Sequence, residues 1–224
     1  MIKFIKKILS FFYREYKLSL SGFHDILSNI VFFFISIFIF IFSIGPEKET
    51  FSIIGVGILW TLLLLSSTLS LKKFYQDDFE NGNITIMHLN GLSMELIAIL
   101  KTLSHFIFVQ IPFIISIPVA SILINLPFEK MYYLIISFFV GSLILSSLGS
   151  ISSSMNLLNK RNYVLGSLIV MIFSIPVIIF SVGIINLEEN VDSLVGILFG
   201  ILLVVFAVNP WASGTCLRLA LENN

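Results

Sequence analysis

Lys101 and His105 lie one helical turn apart near the start of a long apolar run, which makes them the ionisable pair of this 224-residue chain closest to an apolar interior. A charge at that depth is costly unless it pairs or reaches out of the hydrocarbon. The simple expectation is that Lys101 extends to the lipid headgroups and His105 hydrogen-bonds a neighbour. The sharper alternative is a proton or substrate site. The other candidates are weaker. Asp77 and Asp78 adjoin in a polar stretch where solvation is cheap, so they make a poor acid–base pair. The three histidines, His24, His88 and His105, are scattered, and the single Cys216 excludes an internal disulfide and a cysteine metal cluster. There is no HExxH, no phosphate-cradling GxxxxGK[ST] and no nucleophile elbow. No catalytic residue and no metal ligand is therefore assigned, and ATP cannot bind by the P-loop route.

The elements around these residues are set by where charge is missing. The chain is 57% hydrophobic and 12% charged, with a mean hydropathy of +1.03. These values lie outside the soluble globular range. About 20 apolar residues cross roughly 30 Å of hydrocarbon. Six runs meet or approach that length, at about 26–44, 51–71, 96–124, 131–155, 163–185 and 193–208. They leave no room for a soluble domain of about 100 residues. The sequence predicts an all-α membrane protein with six transmembrane helices in one domain, 1–224. Zero formal net charge gives no field for nucleic acid.

Residues 1–22 alternate apolar positions (Phe4, Ile5, Ile8, Leu9, Phe12) with Lys3, Lys6, Lys7, Arg14 and Lys17 at helical spacing. That pattern predicts an amphipathic helix in the membrane interface, and no small-residue cleavage site marks it as a removable signal. Lysine and arginine collect on the untranslocated side. With the N-terminus inside, that side carries the N-terminal basic residues, Lys72, Lys73, Lys101, Lys160, Arg161 and Arg218, and the outside only Lys48 and Lys130. Both termini are then cytoplasmic. Glu188, Glu189 and Asp192 fall outside, in one of three very short outer loops.

Within the spans, Ser142, Ser146, Ser150 and Ser154 recur every four residues, and Gly196 and Gly200 do the same in the last run. Small residues on one face let a neighbouring backbone approach. Contact within the bundle is the plain reading, with a self-association or pore-lining face as the alternative. Pro112, Pro118 and Pro176 predict bends, and Asn209-Pro210 is expected to end the sixth span, with Trp211 as an interfacial anchor.

The longest loop is cytoplasmic, 72–95. It opens with Tyr75, Gln76, Asp77, Asp78, Phe79 and Glu80, turns at Asn81-Gly82, breaks again at Asn90-Gly91, and offers Ser93 and Glu95 to cap the next helix. Its composition fits a docking knob for a soluble partner and a solvated connector equally well.

From Ser43 to Arg218 the chain resembles the CcmB family, the membrane subunits of the ABC-type complex of cytochrome c maturation. The marks are Ser43-Ile44-Gly45-Pro46-Glu47, Gly57-Ile58-Leu59-Trp60, Leu65-Ser66-Ser67, Lys101 with His105, Ile175-Pro176, and Pro210-Trp211-Ala212 through Leu217-Arg218. The family's loop signature FxxDxxDG reads here Tyr75, Asp78, Asn81, Gly82, with tyrosine for phenylalanine and asparagine for the second aspartate. The resemblance implies an ABC-2 exporter-like architecture in which the N-terminal helix and the loop after the second span meet a separate ATPase, CcmA. It implies two copies of each, joined by CcmC, CcmD and the haem chaperone CcmE in a bacterial inner membrane. ATP would bind the partner. Haem would be cargo of the complex, either exported or released on the loaded chaperone, and no cofactor is expected on this chain itself. Tyr75, Asp77, Asp78, Asn81 and Gly82 would transmit the partner's work, with Asp78 accepting from cations or backbone donors of the ATPase. The competing expectation is an ion- or proton-coupled secondary transporter of a small solute, which calls for inverted repeats and ionisable groups at mid-membrane. An intramembrane enzyme would need a convergent catalytic set, which is missing.

Overall fold

The computed structural model describes residues 2–45, 48–70, 74–158, 163–186 and 191–223. Pro46, Glu47, Lys72, Lys73, Lys160, Arg161, Glu188 and Glu189 lie outside the described residues. Every regular element among those described is helical. Among the described residues five helices are long and apolar enough to cross a membrane, and a shorter apolar helix covers Ile53–Thr68. In lipid a helix satisfies its own backbone, which is why apolar runs of this length settle into that one form. The protein is an all-α, multi-pass membrane protein.

Helix α1 (Ile2–Ser21) meets α2 (Phe23–Ile44) at an elbow on Gly22. Phe11 and Glu15 of α1 are buried, whereas Lys6, Lys7 and Lys17 are exposed. Helix α3 (Lys48–Thr68) leads to two short helices, α4 (Gln76–Glu80) and α5 (Asn83–Leu89). The third span is compound. It runs as α6 (Met94–His105), a wide π-turn (Phe106–Gln110) and α7 (Ile111–Leu123). The Ser93 hydroxyl caps α6 by accepting from the Leu96 amide at 3.3 Å. The π-turn falls just before Pro112, whose ring lacks an N–H and crowds the preceding turn.

Helix α8 (Met131–Leu158) is the central element, with α9 (Tyr163–Asn186) and α10 (Val191–Glu222) packed on it. Of its most apolar stretch 72% is buried, against 11% for α2 and for α10. Ser142, Ser146, Ser150 and Ser154 all lie on its buried face at 0% exposure.

Two expectations are corrected here. Gly196 and Gly200 do not pack within the bundle, because both are exposed and a Cβ on either would meet nothing within 4 Å among the described residues. Helix α10 turns Leu198 and Leu202 inward, which swings the glycines to the opposite side. Nor do Asn209 and Pro210 end the last helix, which continues to Glu222. Asn209 is fully buried and held from both ends, donating to Thr102 Oγ1 at 2.8 Å and accepting from the Ser213 hydroxyl at 2.8 Å.

Candidate functional site

At one end of the bundle four charged side chains from three separate segments meet. Arg14 and Glu15 come from α1, Asp78 from α4 and Lys101 from α6. Arg14 pairs with Asp78 and also donates to Glu15 Oε1 at 2.7 Å. Lys101 pairs with Asp78 and donates to Glu15 Oε2 at 3.0 Å. Asn83 adds a donor to Asp78 Oδ1 at 3.1 Å. Glu15, Asp78 and Lys101 are 9%, 5% and 6% exposed. Two cations alternate with two anions, so the cluster is neutral. Buried charges persist only when paired and hydrogen-bonded in this way. Burial pushes the Asp78 carboxyl up, but Lys101 and Arg14 outweigh it and hold the group below its ordinary value. Burial likewise pulls the Arg14 guanidinium down, and Asp78 and Glu15 more than restore it.

The same loop enters the bundle through Tyr75, which is 0% exposed. Its hydroxyl shares a 2.8 Å hydrogen bond with Ser150 Oγ. Ser150 shares one of 3.1 Å with Ser213, Ser213 donates to Asn209, and Asn209 to Thr102. One polar chain thus links the loop to α8, α10 and α6. His105, at the depth of Ser146, shares hydrogen bonds of 3.1 Å with Ser146 Oγ through Nδ1 and 3.0 Å with Ser70 Oγ through Nε2. Its ring lies 4.7 Å from Phe74.

The loop's shape follows from its punctuation. Asn81 caps α4 by donating to the Asp77 carbonyl at 2.7 Å. Gly82 (φ 70°) and Gly91 (φ 84°) take left-handed conformations at either end of α5, where side chains are strained. The Asn90 carbonyl accepts from Lys7 Nζ at 2.6 Å, a second tie to α1. Ile86 and Leu89 are 55% and 80% exposed, and Asp77 is exposed as well. A cavity of about 640 Å³ opens beside the ion cluster, walled by the α1–α2 elbow, the loop and α6.

The CcmB protein family model matches residues 6–220. The chain belongs to the CcmB family. Similar proteins named "Heme exporter protein B" include that of Paracoccus denitrificans, 31% identical over 86% of this chain and 90% of the relative. That of Haemophilus influenzae is 28% identical over 94% and 96%, and that of Escherichia coli K12 is 27% identical over 88% and 91%.

In this CcmB-family chain the loop signature divides into two parts. Tyr75 and Asp78 turn inward, while Asn81 and Gly82 shape the turn. Two details differ from the sequence-based expectation. Asp78 is neither solvated nor free to accept from a partner, because Arg14, Lys101 and Asn83 of this chain already occupy it. Lys101 does not reach the headgroups, because two carboxylates hold it inside. His105 does bond neighbours. Glu15 is the member that the sequence analysis does not name, although it is the one acid among residues 1–22 and follows Ile8 and Phe11 on the apolar face of α1. An acid on an apolar stripe asks for a buried cation, and that signal was in the sequence.

Proposed function

We propose that this chain is the membrane subunit of a haem export system, without an active site of its own and driven by ATP hydrolysed on a separate CcmA-type subunit. The observation that carries this is the joint between α1, the loop and α6. The neutral ion cluster fastens the loop to the third span while Ile86 and Leu89 stay exposed on its outer side. Relatives named "Heme exporter protein B" supply the cargo class. The ATPase docks on α5, and its motion passes through Asp78 and Lys101 to α6 and through Tyr75 to α8 and α10. The bundle then shifts between two helix arrangements. Asp77 and Asn81 lie at the rim of that contact. The joint faces the cytoplasm of a bacterial inner membrane, with both termini on the same side. Two copies work with two ATPase subunits, alongside CcmC, CcmD and the chaperone CcmE, and the cycle exports haem or frees the haem-loaded chaperone. An ion- or proton-coupled carrier would place its charges mid-span, whereas this cluster sits at the loop end.

The test is Ile86→Asp with Leu89→Asp. The variant inserts normally and keeps CcmC, yet co-purifies with CcmA at a tenth of the wild-type amount or less. Undiminished CcmA in the purified complex would overturn the docking assignment.

A further inference from the structure

Helix α1 has three faces. Phe11 and Glu15 turn into the bundle. Ile5, Leu9, Tyr13, Tyr16 and Leu20 fall on one apolar stripe and are 47–70% exposed. Lys7, Ser10 and Arg14 project about a third of a turn away from that stripe. These three line a groove of about 400 Å³ between α1 and α5. Its apolar lining comes from the buried Phe11, Met87 and Leu92 and from the half-exposed Ile86.

The groove is basic. Among the described residues that line it, two are cations and none is an acid. Arg14 is already committed to Asp78 and Glu15. Lys7 is exposed, and among the described residues its polar partner is the Asn90 carbonyl. An ammonium has three donors, so two remain. A cation at the edge of an apolar hollow suits a partner of matching chemistry, a carboxylate for the ammonium and an apolar side chain for the hollow.

The two exposed faces of α1 call for different neighbours. The apolar stripe, bordered by the exposed Lys6 and Lys17, is the kind of surface that lies against lipid. The groove opens on another side of the helix. It shares Ile86 with the exposed surface of α5. That continuity favours a protein over a lipid headgroup as its occupant.

We propose that the α1–α5 groove receives an acidic side chain, next to an apolar one, from the ATPase subunit, and that Lys7 is the cation that meets it. This contact presupposes that the ATPase docks on α5, and it fixes the sign of the charge that the partner carries there.

Ser10 is the position to vary. It is exposed at the groove, and its hydroxyl bonds the Lys7 carbonyl of its own helix, so changing it removes no tie between α1 and the loop. The ATPase subunit is titrated onto the full chain in detergent. At low ionic strength Ser10→Lys tightens binding and Ser10→Glu weakens it, each by about three-fold. Added salt shrinks both effects. Opposite effects at one position do not come from misfolding, which would weaken binding in both variants. Wild-type affinity in both variants, or the reverse order, would overturn the acidic contact. If Ile86→Asp with Leu89→Asp still abolishes binding in that case, the docking on α5 stands and only its charge is wrong. Undiminished binding by that double variant removes the docking and this contact together. Extra anionic phospholipid retained by Ser10→Lys, with ATPase affinity unchanged, would give the groove to a lipid headgroup and also overturn the proposal.

Discussion

Lys101 shows what a lone charge inside an apolar run requires. A lysine stem is long enough to reach the headgroups, yet here the ammonium is met by Asp78 and Glu15 and stays 6% exposed. Arg14, with about a third of its side chain exposed, balances the second carboxylate from the solvent edge. The four groups are a unit, and their stability depends on the count of charges. Lys101→Met leaves two buried carboxylates sharing one guanidinium, at a cost on the order of 3–5 kcal/mol. Thermal unfolding of the purified chain should fall by roughly 10 °C. Adding Glu15→Gln restores neutrality, with Asp78 still held by Arg14, and should recover most of that loss. A double variant as unstable as Lys101→Met alone would show that the charges do not act together.

At the level of the helices, side-chain size decides how near α8 can come to its neighbours. Gly141 leaves room for the Trp60 ring, so Gly141→Ala should separate α3 from α8 and cost about 1–3 kcal/mol. Gly196→Ala and Gly200→Ala meet open space, and each should leave Tm of the isolated chain within about a degree, or raise it slightly through better helix propensity. Equal losses at all three glycines in a thermal-shift series would contradict this arrangement. Much of the helix inventory was legible because hydrocarbon admits one solution for a long apolar run. The helical 1–22 segment and the turn at Gly82 were legible for similarly local reasons. What escaped was tertiary. The side that Gly196 and Gly200 face depends on which residues of α10 win the interior, and Leu198 and Leu202 do. The burial of Asn209 beside Pro210 rests on its finding Thr102, more than a hundred positions away in the chain. The burial of Asp78 required knowing that α1 folds back over the loop, and only the stray acid Glu15 hinted at it.

For the molecule as a whole, α1 acts as a strap across the end of the bundle. It holds the loop at two places, Lys7 at the Asn90 carbonyl and Arg14 at Asp78, and it holds α6 through Glu15 at Lys101. On the far side Arg218 of α10 pairs with Glu95 in the first turn of α6. The loop is therefore bound to α1 and α6 by ion pairs and to α8 and α10 by the Tyr75 hydrogen-bond chain. Arg14→Glu tests the strap, since it sets a third carboxylate against Glu15 and Asp78. Losing a charge-assisted pair of this kind costs about 1.5–3 kcal/mol, which corresponds to a ten-fold or greater rise in local opening. Hydrogen–deuterium exchange should increase by that factor in both α1 and residues 76–89, while the core of α8 keeps its protection. Faster exchange confined to α1, with 76–89 unchanged, would mean that the loop is held by the spans alone and that α1 takes no part in passing force to them.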